Sequence, residues 1–229
     1  MKQFPRLLLA SALLAPAAIF AASFEGKVSF KMTTGRGQGQ EMHYNIKGDK
    51  IRMEMTGQKG MGGMIMDTSK KEMIMIMDEQ KMYMTMQIPE AAAQAIEKKG
   101  ENATLEKTSE TEKILGYTAT KYIATNQDTK TEMWLAEGLG KFTGFSNQNP
   151  MGGRRGGTAA APAWERALAG KELFPLRVVG LDKGGKENFR MEVTAINKES
   201  LPDTLFAPPA GYQKLDMGGM MKGMIPGAR

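Results

Sequence analysis

The chain of 229 residues has no cysteine and only one histidine, His43. The absence of cysteine excludes disulfides, thiol nucleophiles, zinc fingers and cysteine-ligated clusters. A histidine-dependent hydrolase also lacks support, because His43 lies on the polar side of a predicted strand and no nucleophile-elbow, metalloprotease or nucleotide-binding motif is present. The sequence therefore predicts a non-enzymatic protein without a cofactor, stabilised by burial and sheet hydrogen bonds.

A concentrated basic surface is also missing. The 31 lysines and arginines exceed the 25 acidic residues by six, but they are scattered among the acids. Nucleic-acid binding needs a basic stripe with stacking aromatic residues, so we expect no nucleic-acid partner.

The first residues are typical of an export signal. Lys2 and Arg6 precede an apolar run at 7–22, and small residues at 21–23 offer a cleavage site. The run is too short and broken for a membrane span of about 20 residues. We expect residues 1–22 to be removed near 21–23, leaving a periplasmic protein without a transmembrane segment. No cysteine lies at the cut, so a lipoprotein is excluded.

The rest of the chain reads as a single domain at 23–215, followed by a flexible tail rich in glycine and methionine at 216–229. Alternating apolar and polar residues predict strands at 24–33 and on both sides of the turn at 48–50. Further strands are expected near 104–109, 113–125, 130–136, 176–181 and 188–196. Helices are expected at 90–99, 139–147 and 163–170.

Methionine is the residue present in excess, with 21 in the chain. Between Met53 and Met86 most methionines alternate, which places them on one face of a sheet. A turn at 78–81 predicts the cross-strand pairs Met77–Met82, Met75–Met84 and Met73–Met86. The residues predicted to line this face are Met53, Met55, Met64, Met66, Met73, Met75, Met77, Met82, Met84 and Met86.

These patterns predict a mainly β (α+β) fold. We expect about ten antiparallel strands in a strongly curved sheet or half-barrel, with two or three helices packed on it. The strand Met73–Met77 is apolar on both faces, so we expect it to be covered on both sides.

Several segments resemble a family of exported bacterial proteins that is known only as a domain of unknown function. They are FEGKV (24–28), GDKIRM (48–53), KMYM (81–84), GYTATKY (116–122), TEMW (131–134), FPL (174–176), LF (205–206) and PAGY (209–212). The resemblance covers nearly all of residues 24–215. The strand order and export signal are also similar, more loosely, to LolA/LolB-type periplasmic lipoprotein carriers. That resemblance implies a curved sheet whose concave face holds acyl chains beneath helices.

Three functions remain open at this point. The methionine face could line a site for a lipid or another hydrophobic ligand, since methionine surfaces adapt to variable partners. Alternatively, thioethers could bind Cu(I), for which the tail residues Met217, Met220, Met221 and Met224 are the better candidates. In the third alternative, the protein is a structural envelope component with a dry core and no ligand.

Overall fold

The computed structural model describes residues 24–35, 39–55, 62–88, 104–126, 129–144 and 162–215. Within them lie twelve strands, one α-helix and one short 3-10 helix. The strands are β1 (Glu25–Thr34), β2 (Gln40–Lys47), β3 (Lys50–Met55), β4 (Gly63–Asp67), β5 (Glu72–Met77), β6 (Met82–Gln87), β7 (Thr104–Ile114), β8 (Tyr117–Asn126), β9 (Thr129–Ala136), β10 (Phe174–Leu181), β11 (Glu187–Lys198) and β12 (Gln213–Lys214). The helices are α1 (Ala163–Leu168) and the 3-10 helix Asp203–Phe206.

All twelve strands belong to one open sheet in the order β12-β6-β5-β4-β3-β2-β1-β11-β10-β9-β8-β7. Every pairing is antiparallel except β12 with β6, which is parallel. Consecutive hairpins therefore build most of the sheet, as the alternation and turn residues predict. The pairings from β1 through β6 have no register shift, whereas four pairings in the other half contain one. Such irregularities increase the local twist of a sheet.

The sheet curves around one main core. Met66 and Met73 near one edge and Ile114 at the opposite edge belong to the same cluster of buried side chains. Strands so far apart in the sheet order share a core because the sheet bends toward its own inner face. The expected mainly β, strongly curved sheet is thus present.

The helical content is smaller than expected. Helix α1 confirms the segment predicted at 163–170, and its Trp164 and Leu168 join the main core on the inner face. The helix predicted at 139–147 is wrong over residues 139–144, which are irregular. Gly138, Gly140 and Gly144 all have positive φ there, a conformation that a right-handed helix does not contain. The helix predicted at 90–99 lies outside the described residues. Only one α-helix is therefore found in the described part of the chain, not two or three.

One hairpin also differs from the prediction, which began a new strand at residue 113. Strand β7 instead continues to Ile114, and the chain reverses at Leu115 and Gly116, which have φ values of 48° and 87°. Two successive positive φ values are typical of a tight hairpin turn. Leu115 is exposed in this turn. Because it is apolar, the sequence pattern predicts it as a strand residue.

The C-terminal segment crosses the outer face of the sheet. Leu201 and Phe206 pack there against Ile65, Ile74 and Ile76 of β4 and β5, forming a second cluster. Strand β5 is therefore covered on both faces, as expected. The segment ends as the edge strand β12, which pairs with β6, and there the Gln213 amide donates to the Lys81 carbonyl at 2.9 Å. None of the helices in the described ranges is long and apolar enough to span a membrane.

Candidate functional site

The inner faces of β3–β6 form a surface that we call the methionine face. Its members are Met53, Met64, Met66, Met73, Met75, Met77, Met82, Met84 and Met86. Strand pairing aligns four of them in one continuous row, Met53–Met64–Met75–Met84, which continues to Tyr44 on β2. A second row runs Met66–Met73–Met86, and Met77 pairs with Met82. The three pairs expected between β5 and β6 are all present.

Burial varies along this face. Met53, Met64, Met66 and Met73 are buried within the main core. Met75 and Met84 are also buried, at 8% and 2% exposure. Met77, Met82 and Met86 are half-buried. The methionine face therefore has a partly open end at Met77 and Met82, and Met86 is half-buried separately, beyond the buried Met84. Met55 pairs with Met42 through the backbone, but its side chain lies outside the described residues.

In β4 and β5 the opposite faces carry a different residue. Ile65, Ile74 and Ile76 alternate with the methionines of β4 and β5 and point outward. They are 2%, 8% and 0% exposed, as buried as their methionine neighbours. Isoleucine and methionine are thus segregated to the two faces of the same strands, at matched burial.

Aromatic side chains close the interior end of the first row. Tyr44 follows Met53 in that row, stacks on Phe142 at 5.9 Å and contacts the edge of Phe30 at 5.3 Å. Its hydroxyl donates a 2.8 Å hydrogen bond to the Gly144 carbonyl. Burial, together with the nearby Glu165 carboxylate, raises the pKa of Tyr44 well above its ordinary value. The hydroxyl therefore stays protonated and keeps this donor role.

The described part of the methionine face has no imidazole beside it. His43 is flanked on β2 by the inward-facing Met42 and Tyr44, so it points to the outer face. There its Nδ1 lies 3.0 Å from the Ser29 hydroxyl. No cluster of three or more histidine, cysteine or acidic residues occurs in the parts of the chain that were described. The tail residues proposed as Cu(I) ligands, Met217, Met220, Met221 and Met224, lie outside those parts.

The outer face is polar where the C-terminal segment does not cover it. Trp134 lies between Lys121 and Arg177, whose charged groups are 5.4 and 5.1 Å from its ring. The sequence predicts both tryptophans as core anchors. That holds for the buried Trp164, whereas Trp134 is half-buried. Arg177 also pairs with Glu112 and Glu192 at 2.8 Å each.

A small cavity of about 70 Å³ opens on this outer side, next to Phe206. Its wall includes the charged residues Lys50, Asp67, Lys70 and Glu72. Four of its seven lining residues are charged, which does not suit an acyl chain. An apolar ligand is therefore better matched by the methionine face than by this cavity.

The C-terminal segment is the part of the structure that sequence reasoning missed. Its apolar residues Leu201, Leu205 and Phe206 are too few to show a period that predicts a partner. The outward isoleucines of β4 and β5 were the available signal, because an apolar outer face requires a cover.

The family described as "Domain of unknown function (DUF4412)" matches residues 24–212. The chain therefore belongs to this family, which spans nearly the whole predicted domain. No curated protein matches the chain in sequence.

Solved structures similar to the chain include an uncharacterized conserved protein from Thermus thermophilus. That match has a TM-score of 0.49 and 12% identity, and it covers 85% of this chain and 91% of that chain. A second is a chain of the Pseudomonas aeruginosa MucA/MucB complex, with a TM-score of 0.47, 12% identity and coverage of 84% and 58%. A third is the LolA superfamily protein NE2245 from Nitrosomonas europaea, with a TM-score of 0.32, 12% identity and coverage of 82% and 90%.

Proposed function

We propose that this member of the DUF4412 family is a periplasmic, non-enzymatic binding protein that holds a lipid or another hydrophobic ligand against its methionine face. The observation that carries the proposal is the segregation of isoleucine and methionine to opposite faces of β4 and β5. The export-signal pattern at residues 1–22 supports the compartment.

The choice of residue on each face has an energetic consequence. Burying a methionine costs about 1.5–2 kcal/mol of rotamer entropy, against about 0.5–1 kcal/mol for isoleucine. On the outer face, where Leu201 and Phe206 form a fixed cover, the chain uses isoleucine. On the inner face of the same strands it uses methionine and forgoes about 1 kcal/mol per residue. A surface that repacks around apolar molecules of varying shape gives a reason for this difference.

The half-buried methionines supply a point of entry to this surface. Met77, Met82 and Met86 are half-buried at the β6 side, whereas Met53 and Met64 lie inside the core. An acyl chain that contacts the open end would displace water from thioethers and gain about 25 cal/mol for each Å² of apolar surface removed from water. The Tyr44 ring would then limit how far along the first row a ligand extends.

Two measurements test the proposal. Native mass spectrometry of the protein purified from its cell envelope should detect a co-purified apolar molecule. In addition, the delipidated protein should bind cis-parinaric acid, a fluorescent fatty acid, and the binding should saturate in a titration. An empty protein that also fails to bind the probe would contradict the proposal and favour a structural protein with a dry core.

A matched pair of variants localises the binding. Met82→Asp places a carboxylate on the open end of the methionine face, and Thr85→Asp places the same charge on the outer face of β6. Covering a polar group without a hydrogen bond costs about 1–3 kcal/mol, so Met82→Asp should weaken probe binding by roughly 5- to 150-fold. Thr85→Asp should leave probe affinity unchanged. Equal loss in both variants would argue against the methionine face.

The copper alternative predicts a different outcome. A tight Cu(I) complex in an anaerobic competition titration, lost when residues 216–229 are deleted, would overturn the lipid proposal if the probe also failed to bind. Thioethers select Cu(I), but His43 lies on the opposite face and cannot assist those of the methionine face.

A further inference from the structure

Three thioethers of the methionine face are half-buried, and two of them lie at its open end beside the turn at 78–81. Met77 and Met82 are direct cross-strand partners, and Met86 lies on the same face of β6, four residues beyond Met82. Their buried neighbours Met73, Met75 and Met84 occupy the same two strands. Water and small polar reagents therefore reach the first group more readily than the second.

We infer that Met77, Met82 and Met86 are oxidant-sensitive positions, at which conversion to methionine sulfoxide lowers the affinity of the methionine face for apolar ligands. The oxidant belongs to the class of two-electron oxygen donors, such as hydrogen peroxide. This inference rests on the proposed function for its effect on binding, but the site of oxidation is independent of any ligand.

One molecule of hydrogen peroxide oxidises each thioether. The sulfur lone pair attacks one peroxide oxygen, an S–O bond forms and the O–O bond breaks. Two electrons pass from sulfur to the departing oxygen, which leaves as hydroxide and takes the remaining proton to become water. The product is the sulfoxide, which a methionine sulfoxide reductase returns to the thioether.

The position of a methionine on the face decides whether its sulfoxide oxygen finds a hydrogen-bond donor. At a half-buried residue the S=O group can accept hydrogen bonds from water, so the fold tolerates it. At Met84, which is 2% exposed, the same oxygen would be buried without a donor. An apolar ligand covering the open end would have to strip water from the sulfoxides. Oxidation therefore converts the entrance of the methionine face from apolar to polar while the interior stays reduced.

The sequence provides an internal control for the site of oxidation. Trypsin cleavage after Lys71 and Lys81 gives one peptide with Met73, Met75 and Met77, and a second that begins at Met82 and includes Met84 and Met86. After brief treatment of the full chain with hydrogen peroxide, fragment-ion mass spectrometry should find Met77 oxidised several times faster than Met73 and Met75. Met82 and Met86 should likewise be oxidised faster than Met84. The same treatment in concentrated urea should abolish these differences. Equal rates in the native protein would overturn the inference.

A binding measurement tests the consequence. Peroxide should weaken the binding of cis-parinaric acid by roughly 5- to 150-fold, which is the effect expected if the ligand buries one sulfoxide group without a hydrogen-bond partner. A methionine sulfoxide reductase should restore the original affinity. In a Met77→Leu/Met82→Leu/Met86→Leu variant, the ratio of affinities before and after peroxide should be near one. An equal peroxide-induced loss in this variant would refute the inference. If the untreated protein binds no probe, the proposed function fails, whereas selective oxidation without loss of binding overturns only the regulatory step.

Discussion

Exchanging Ile74 and Met75 tests why the two faces of β5 differ. The residues are neighbours in one strand, both are 8% exposed, and they point to opposite faces. Ile74 packs in the outer cluster with Ile65 and Phe206, whereas Met75 pairs with Met64 and Met84 on the methionine face. The variants Ile74→Met and Met75→Ile thus make opposite changes at matched burial.

The expected magnitudes follow from rotamer entropy and packing. Ile74→Met should lose about 1 kcal/mol of side-chain entropy. A misfit against the fixed outer cover adds up to about 1.5 kcal/mol, giving a total destabilisation of about 1–2.5 kcal/mol. Met75→Ile should regain the same entropy of about 1 kcal/mol, offset by up to about 1.5 kcal/mol of misfit. Its free energy of unfolding should therefore lie between about 1 kcal/mol above and 0.5 kcal/mol below the parent.

Urea unfolding of the parent, the two single variants and the double exchange measures these differences. Circular dichroism should follow the sheet, and fluorescence should follow the two tryptophans, Trp134 and the buried Trp164. A constant slope against urea would show that the change lies in stability rather than in the denatured state. If Met75→Ile costs as much as Ile74→Met, the methionine face is packed as specifically as the isoleucine face. The entropy argument for an adaptable surface would then be refuted.

Three further predictions concern the surroundings of the face. The Glu25 carboxylate accepts a 2.6 Å hydrogen bond from the Leu201 amide. This bond and the nearby Lys47 lower the pKa of Glu25. Its stabilising effect is present above the pKa of the unfolded chain and is lost as pH falls through the lower folded value, so Glu25→Gln should flatten the acid side of a stability–pH curve. An unchanged curve would contradict this role. Trp134→Leu removes two cation–π contacts and should lower the free energy of unfolding by about 1–2 kcal/mol in urea melts, and no change would show that these contacts contribute nothing. Tyr44→Phe leaves the Gly144 carbonyl without its 2.8 Å donor and should cost about 1–3 kcal/mol by the same assay, whereas parent-like stability would rule out this bond as a support.

The regular half of the sheet was predictable because its information is local. Side chains in β3–β6 alternate strictly, and the turn at 78–81 sets the register of every pair in the hairpin. Choosing Met77 and Met82 as partners therefore determines the Met73–Met86 pair as well. No long-range information was needed for these strands.

The rest of the fold was less predictable, because there the local sequence pattern disagrees with the contacts that residues make with distant parts of the chain. Leu139 and Phe142 have the spacing of one helix face, but the positive φ of the glycines around them turns the chain irregularly. Leu115 extends an apolar run that is in fact a turn. The cover of the outer face comes from residues more than a hundred positions away, and only the three-dimensional structure brings Phe206 to Ile74.

The two sides of strand β5 carry different residues and face different surroundings. Its outer side meets a cover supplied by the chain itself, and there the buried residues are β-branched, which suits a partner of fixed shape. Its inner side carries only methionine, grading from buried Met73 to half-buried Met77. If both sides faced partners of fixed shape, the same rotamer entropy would favour isoleucine on both. The proposal of an apolar ligand rests on this difference between the two sides, because a surface that meets partners of varying shape gains from methionine and a surface with a fixed partner does not.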